Sequence, residues 1–283
     1  MSNVRALQNA DLDRFWDEFA EVMGGPDGLI TYRYLGTHAQ AQDRHHATGT
    51  MRLRSDLRGP GGLLASPLAI LVADTIGILD DAIAVPAPVH FDIAMLDGGE
   101  GVEEVKCIGE MYHEGRTQLF SRARIVDAGD EARVLALARD CGVVMAPAPD
   151  GYRYVDPGPG VPESESLPPL WQAFEGRRRV DGRLEIPGLN SRIGSTSGSL
   201  HHGPTQVVLE AACSEAAVSS AGTDQLRIRN WYVAFVARGL AGPFETTTEV
   251  VSTTSDAVAV EATMRDAGRN RTIASASAVF ERV

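Results

Sequence analysis

The sequence predicts an α+β fold in which a buried central helix is wrapped by an antiparallel sheet, twice in one chain. Three observations carry this. A glycine-led apolar stretch ending in a carboxylate occurs at 62–74 and again at 198–210, with the same offset from 62 to 198 as from 74 to 210. Each stretch is followed by a series of strand-like segments separated by turn residues. Between the two copies lies a proline-crowded segment, 146–170, in the place expected of a boundary between units.

The elements follow in order. Residues 10–23 read as an amphipathic helix, with Leu12, Phe15, Trp16, Phe19, Val22 and Met23 on one stripe and acids on the other face. Asp11 is suited to cap it and Gly24-Gly25 to end it. Short strands are expected at 28–36 and 46–53. The turn Gly59-Pro60-Gly61-Gly62 leads into the first central helix, which is expected to run to about Ala84. Strands follow at 85–96, 102–112, 118–127 and 134–145. In the second half a short helix is expected at 170–176, a short strand at 183–186 and the second central helix at 203–221. Its strands lie at 225–238, 244–252, 257–264 and 272–281. The resulting division is an N-terminal unit 1–145, a proline-rich linker or surface strap 146–170, and a C-terminal unit 171–283.

Both central helices are nearly free of charge. From Leu63 to Asp74 the aspartate is the only charged residue, and from Gly203 to Glu210 the glutamate is. A helix apolar nearly all round is buried. Pro67 and Pro204 suit a first turn, where a missing N–H costs nothing. Each acid then lies about two turns inside, where burial raises a carboxyl pKa unless the group is paired.

Composition narrows the function. The chain has 283 residues and a formal net charge of −12, which opposes a nucleic-acid partner. No apolar run approaches the ~20 residues of a membrane-spanning helix. Cys107, Cys141 and Cys213 are odd in number and widely spaced, and with no basic-then-apolar leader they read as reduced thiols of a cytoplasmic protein. His38, His45 and His46 lack acid or cysteine partners at ligand spacing, so no metal and no cofactor is expected.

The helix starts carry a resemblance. His201-His202-Gly203, with Glu210 nine residues after His201, is similar to the His-Gly-Gly motif of PaaI-type acyl-CoA thioesterases, and Ala65-Ser66-Pro67 with Asp74 stands at the same place in the first half. The whole arrangement resembles a double hotdog protein, two hotdog units fused. The first copy lacks the histidine, Ser66 and His202 replace the middle glycine, and Ser195 and Gly59 stand where the family often has asparagine. The resemblance implies thioester hydrolysis of an acyl-CoA or acyl-carrier substrate. A carboxylate would activate water, and backbone N–H groups at a helix start would hold the oxyanion. In such relatives acid and donor come from opposite units. Asp74 is then expected to work with His201, His202 and Gly203, and Glu210 to face Ser66. Gly62 and Gly198 open the two stretches, and Ser195 or Ser197 would hold water. His201 and His202 read equally as caps or packing groups, and Ser66 as an N-cap. Two other functions stay open: a dehydratase or hydratase pairing a histidine with Glu210, and a non-catalytic acyl-ligand binder. Monomer and homo-oligomer are both compatible with an internal pair of units.

Overall fold

The computed structural model describes residues 14–25 and 27–283. Helix α1 (Phe15–Gly24) is followed by α2 (Ile30–Leu35), β1 (His38–Ala41), β2 (His46–Arg52), β3 (Arg58–Gly59) and β4 (Gly62–Leu63). The first central helix α3 (Ala65–Asp81) leads to β5 (Ala84–Met95), β6 (Glu104–Glu114), β7 (Gln118–Asp127) and β8 (Asp130–Pro147). Then come α4 (Leu170–Ala173), β9 (Arg177–Arg178), β10 (Leu184–Ile186) and the second central helix α5 (His202–Ala221). Strands β11 (Leu226–Phe235), β12 (Phe244–Thr253), β13 (Ala257–Asp266) and β14 (Arg271–Arg282) complete the chain.

Apart from the β3–β4 hairpin, these strands form one sheet in the order β1-β2-β6-β7-β8-β5-β11-β14-β13-β12-β10-β9. Every pairing in it is antiparallel, including the seam between the halves, where Trp231 faces Ile93 and Val233 faces Phe91 across β11 and β5. Helix α3 packs on β2, β5, β1 and β6; α5 packs on β13, β12 and β14; and the two helices touch. Alternation puts the inward side chains on them. In β13, Val258, Val260, Ala262 and Met264 are buried and their neighbours are not. Both central helices are buried on nearly all sides through their first half, as their lack of charge requires.

The strands expected after each central helix, the helix at α4 and both central helices are present, with the strands of the two halves joined in one sheet. Differences are local. The segment expected as a strand at 28–36 is the helix α2, ended by Gly36 in the left-handed region at φ 68°. Its apolar residues suit period 2, but Ile30, Thr31, Tyr32, Tyr34 and Leu35 are all buried, so the segment is enclosed on every side rather than on one face. Strand β1 was not anticipated. Helix α3 stops at Asp81, because Ala84 already pairs with Pro147 in β5 and β8. Helix α1 covers the described part of the expected 10–23 helix; Asp11 and Leu12 lie outside the described residues. Segment 148–169 has no helix or strand and is held by scattered bonds, such as Trp16 Nε1–H to the Pro149 carbonyl and Val161 N–H to the Tyr34 carbonyl. Among the described residues no helix is long and apolar enough to cross a membrane.

Trp231 is fully buried at the seam. Its replacement by alanine is expected to cost about 3–5 kcal/mol in denaturant unfolding, the range for deleting a large core aromatic.

Candidate active site at the start of the second central helix

The two helix starts, alike in sequence, are built differently. At α3 the capping residue is Leu64, which offers no side-chain acceptor, so Ser66 is not the N-cap and lies inside the first turn. The acceptor comes from the other half. Glu210 Oε1 takes the Ala65 N–H at 2.7 Å and Oε2 takes the Ser66 N–H at 2.8 Å, both buried. A carboxylate on the positive end of a helix is favourable twice, through hydrogen bonds and through the dipole. Burial nevertheless raises the Glu210 pKa, opposed by these bonds from Ser66 and Ala65. Gly62, just upstream, is in β4 at φ 131° with its Cα against Gly98, where a Cβ would meet the Gly98 carbonyl at 2.8 Å.

At α5 the cap is His201, whose Nδ1 accepts the Gly203 N–H at 3.2 Å and lies 3.0 Å from Thr31 Oγ1. The two histidine rings stand 4.0 Å apart, centroid to centroid. Burial lowers both pKa values, His201 well below the ordinary range and His202 to about 3, so both rings are neutral at physiological pH. Helix α2 closes over this end: a Cβ on Gly203 would meet Thr31 Cγ2 at 2.4 Å. Asp74 therefore does not cap α5 as Glu210 caps α3. Its Oδ2 accepts instead from the Tyr154 hydroxyl at 3.2 Å, a residue of the proline-rich strap. Burial raises the Asp74 pKa to about 6, against the opposing pull of the Thr37 and Tyr154 hydroxyls.

A directed hydrogen-bond chain leaves this region. Trp231 Nε1–H donates to Gln206 Oε1 at 3.4 Å, which turns the Gln206 amide so that its Nε2 donates to His202 Nδ1 at 3.2 Å. A neutral His202 then carries its proton on Nε2, 3.0 Å from the Tyr32 oxygen, and donates to it. The Tyr32 O–H is left to donate elsewhere.

Tyr32 stands in the wall of two adjoining cavities. The smaller, about 40 Å³, is also bordered by Asp74, Asp81 and Tyr154, and has room for water. The larger, about 440 Å³, runs past His201 and His202 between α1, β5, β8 and the end of β11. Ser195, Ser197 and Ser199 line it and bond one another, with Ser195 Oγ 2.8 Å from Ser197 Oγ. Gly198, at φ 71°, makes the tight turn among them. Neither cavity includes Ser66 or Glu210 among its lining residues. No hydrogen bond joins either histidine to Glu210 among the described residues. Of the aromatic residues on β11, Phe235 lines the cavity and Trp231 is core.

The first-half histidines meet acids that their spacing concealed: His45 Nε2 lies 3.1 Å from Glu114 and His46 Nδ1 2.9 Å from Asp43. No group of three side chains suited to holding a metal converges among the described residues. Sequence reasoning missed Tyr32 and Tyr154, which come from a segment read as a strand and from a segment read as a linker. It also missed Asp80, Asp81 and Asp140, which line the larger cavity.

Removing Glu210 leaves two buried N–H groups without an acceptor. Glu210→Ala is expected to lower unfolding stability by roughly 2–5 kcal/mol, and Glu210→Gln, with one acceptor oxygen for two donors, by much of that. A second expectation concerns pH. Burial raises Asp140 to about 7, so the folded chain keeps a proton that the unfolded chain releases near pH 4. More protons on the folded side means that the contribution of Asp140 to stability is most favourable below pH 4 and is lost as pH rises through about 7. Thermal melts of Asp140→Asn should exceed wild type at pH 8, with the gap closing toward pH 4.

No family model and no curated protein sequence matches the chain. Solved structures do. A tesB protein from Mycobacterium avium subspecies paratuberculosis is 13% identical, with TM-score 0.60 over 87% of this chain and 96% of that one. A conserved protein of unknown function with hot dog fold from Alicyclobacillus acidocaldarius is 9% identical, with TM-score 0.60 over the same shares. The acyl-CoA thioesterase II TesB2 from Mycobacterium marinum is 14% identical, with TM-score 0.56 over 89% of this chain and 98% of that one. What is shared at such low identity is the sheet wrapped on buried helices: the chain has the hotdog fold.

Proposed function

We propose that the protein is an acyl thioester hydrolase built from two fused hotdog units, 1–145 and 171–283, joined by the strap 146–170. The observation that carries this is a buried carboxyl, Asp74, in a water-sized cavity that meets a ligand-sized, largely apolar cavity at the start of α5. The name of the Mycobacterium marinum neighbour, an acyl-CoA thioesterase II, agrees with it.

In this reading the acyl chain lies in the larger cavity and the thioester carbonyl beside Tyr32. Asp74, with a pKa near 6, is mostly ionised at neutral pH and takes a proton from water as the water attacks the carbonyl carbon. The negative oxygen accepts from the Tyr32 O–H, held by the Trp231–Gln206–His202 chain, and from the backbone N–H of His202 at the positive end of α5. The intermediate collapses with cleavage of the C–S bond and loss of thiolate, which takes up the proton that Asp74 removed from water. The products are a carboxylic acid and a thiol, with no metal or cofactor required. Ser195 and Ser197 belong to the cavity wall, and Gly203 is the close-packing point for Thr31. Glu210 and Ser66 hold the halves together and have no catalytic part. A histidine–Glu210 dehydratase is disfavoured, because the neutral histidines bond Thr31, Tyr32, Gln206 and Gly203 while Glu210 is engaged at α3.

Free-thiol release from short, medium, long and aromatic CoA thioesters tests the reading. Asp74→Asn should lose about 10²–10⁴-fold in kcat/KM, and Tyr32→Phe about 10²–10³-fold. Wild-type kcat/KM should fall below about pH 6, as Asp74 takes up its proton. Turnover unchanged in Asp74→Asn would discard this site, and no turnover on the panel would leave a ligand-binding protein.

A further inference from the structure

The larger cavity contains three carboxylates that the hydrolytic reading does not use: Asp80 and Asp81 from the last turn of α3, and Asp140 from β8. Asp140 and Gly142 are two apart on one strand and share a face. A Cβ on Gly142 would stand 3.4 Å from Asp80 Oδ2, so the absence of a side chain at 142 brings the Asp80 carboxyl against the strand next to Asp140. Asp80 is 6% exposed and Asp140 8% exposed, and Oδ1 of each has no hydrogen-bond partner among the described residues. Burial pushes up the pKa of Asp80, Asp81 and Asp140, helped at Asp80 by Asp140 and Asp81 and at Asp81 by Asp74, with no cation opposing it. Arg238 also lines the cavity, just past β11, and is not among the groups that act on these acids.

The placement is costly in a second way. Asp80 and Asp81 sit at the negative end of α3, whose last turn has no basic residue. The usual preference there is for lysine or arginine. Two acids and a helix C-terminus thus meet at one end of an apolar cavity, and among the described residues no ion pair engages Asp80, Asp81 or Asp140. Phe15, Trp16 and Phe19 of α1 line the same space, with the Phe15 and Trp16 rings edge to face at 4.9 Å. Carboxyl acceptors and aromatic rings lining one cavity suit an organic cation.

We propose that this end of the cavity is a subsite for a primary ammonium group, borne on the tail of the acyl chain. That the ammonium arrives on an acyl chain rests on the thioesterase reading; the preference for an ammonium does not. The ammonium would donate to the carboxyl groups of Asp80 and Asp140 where they border the cavity, in exchange for the protons that burial holds on them, and its alkyl stem would run along the apolar wall past Phe91 and Phe235.

The test is calorimetric titration of the full chain with hexylamine and with hexan-1-ol at pH 7.5, which share a stem and differ in the head group. Hexylammonium should bind wild type at least about tenfold more tightly than the alcohol, as for a charge-assisted contact in a dry site. Asp140→Asn and Asp80→Asn, each nearly isosteric and each removing a group that can become the ammonium's counter-charge, should shrink that preference to about twofold with alcohol binding kept. Equal binding of the two ligands by wild type, no binding of either, or an unchanged preference in both variants would overturn the proposal. None of these readouts depends on turnover. A chain inactive on every CoA thioester but selective for hexylammonium would keep this subsite and lose the hydrolase reading, and an active chain with no selectivity would do the reverse.

Discussion

The two backbone N–H groups that begin α3 are satisfied by a side chain more than a hundred residues away, and the arrangement of the two halves depends on it. A helix start buried at an interface needs acceptors for its first N–H groups. Leu64 supplies none, so the Glu210 carboxylate does, and it reaches them only when α5 lies against α3. The seam between β5 and β11 fixes the same relation from the sheet side. Helix contact and strand pairing therefore specify one register between the halves.

The counterpart position shows what a difference of one methylene allows. Asp74 is shorter than Glu210 and is not bonded to the start of α5. Thr31 and Tyr32 occupy the vicinity, and the aspartate turns to Tyr154. One carboxylate is thereby fully engaged in joining the halves, while the other borders open space with a pKa near neutrality. A symmetric pair of equally good caps would have left neither free. The asymmetry in helix starts, His201-His202-Gly203 against Ala65-Ser66-Pro67, divides structural work from solvent-facing work.

Much of this was legible in the sequence because periodicity and charge are local signals. Strand alternation and two uncharged helices identified the elements, and the common offset of Asp74 and Glu210 identified the residues that the fold treats specially. What the sequence could not disclose were relations set by packing. Residues 30–35 have an apolar pattern that suits a strand or a buried turn of helix, and only closure over Gly203 decides it. Tyr154 lies among prolines and glycines that read as a linker, yet its hydroxyl reaches Asp74. Asp80 and Asp140 are sixty residues apart and look like ordinary acids until the strand carrying Asp140 is laid beside the end of α3. Which carboxylate is long enough to reach the facing helix start is likewise a detail that spacing does not encode.

The histidine pair gains its meaning from being uncharged. Charged imidazoles at the positive end of α5 would be opposed by the dipole as well as by burial, so neutrality is doubly favoured. A neutral ring has one N–H, and its partners decide which nitrogen carries it. For His202 the Gln206 amide, itself oriented by Trp231, takes Nδ1 as acceptor and leaves the proton on Nε2 toward Tyr32. Each donor in the row is spent on the next acceptor, and the last donor is the Tyr32 hydroxyl at the junction of the two cavities. Acid–base chemistry at the histidines would break this row, because a second proton on His202 would set two donors, the Gln206 amide and Nδ1–H, against each other. The network is therefore built to present a fixed hydrogen-bond donor rather than to exchange protons, and proton exchange falls to Asp74.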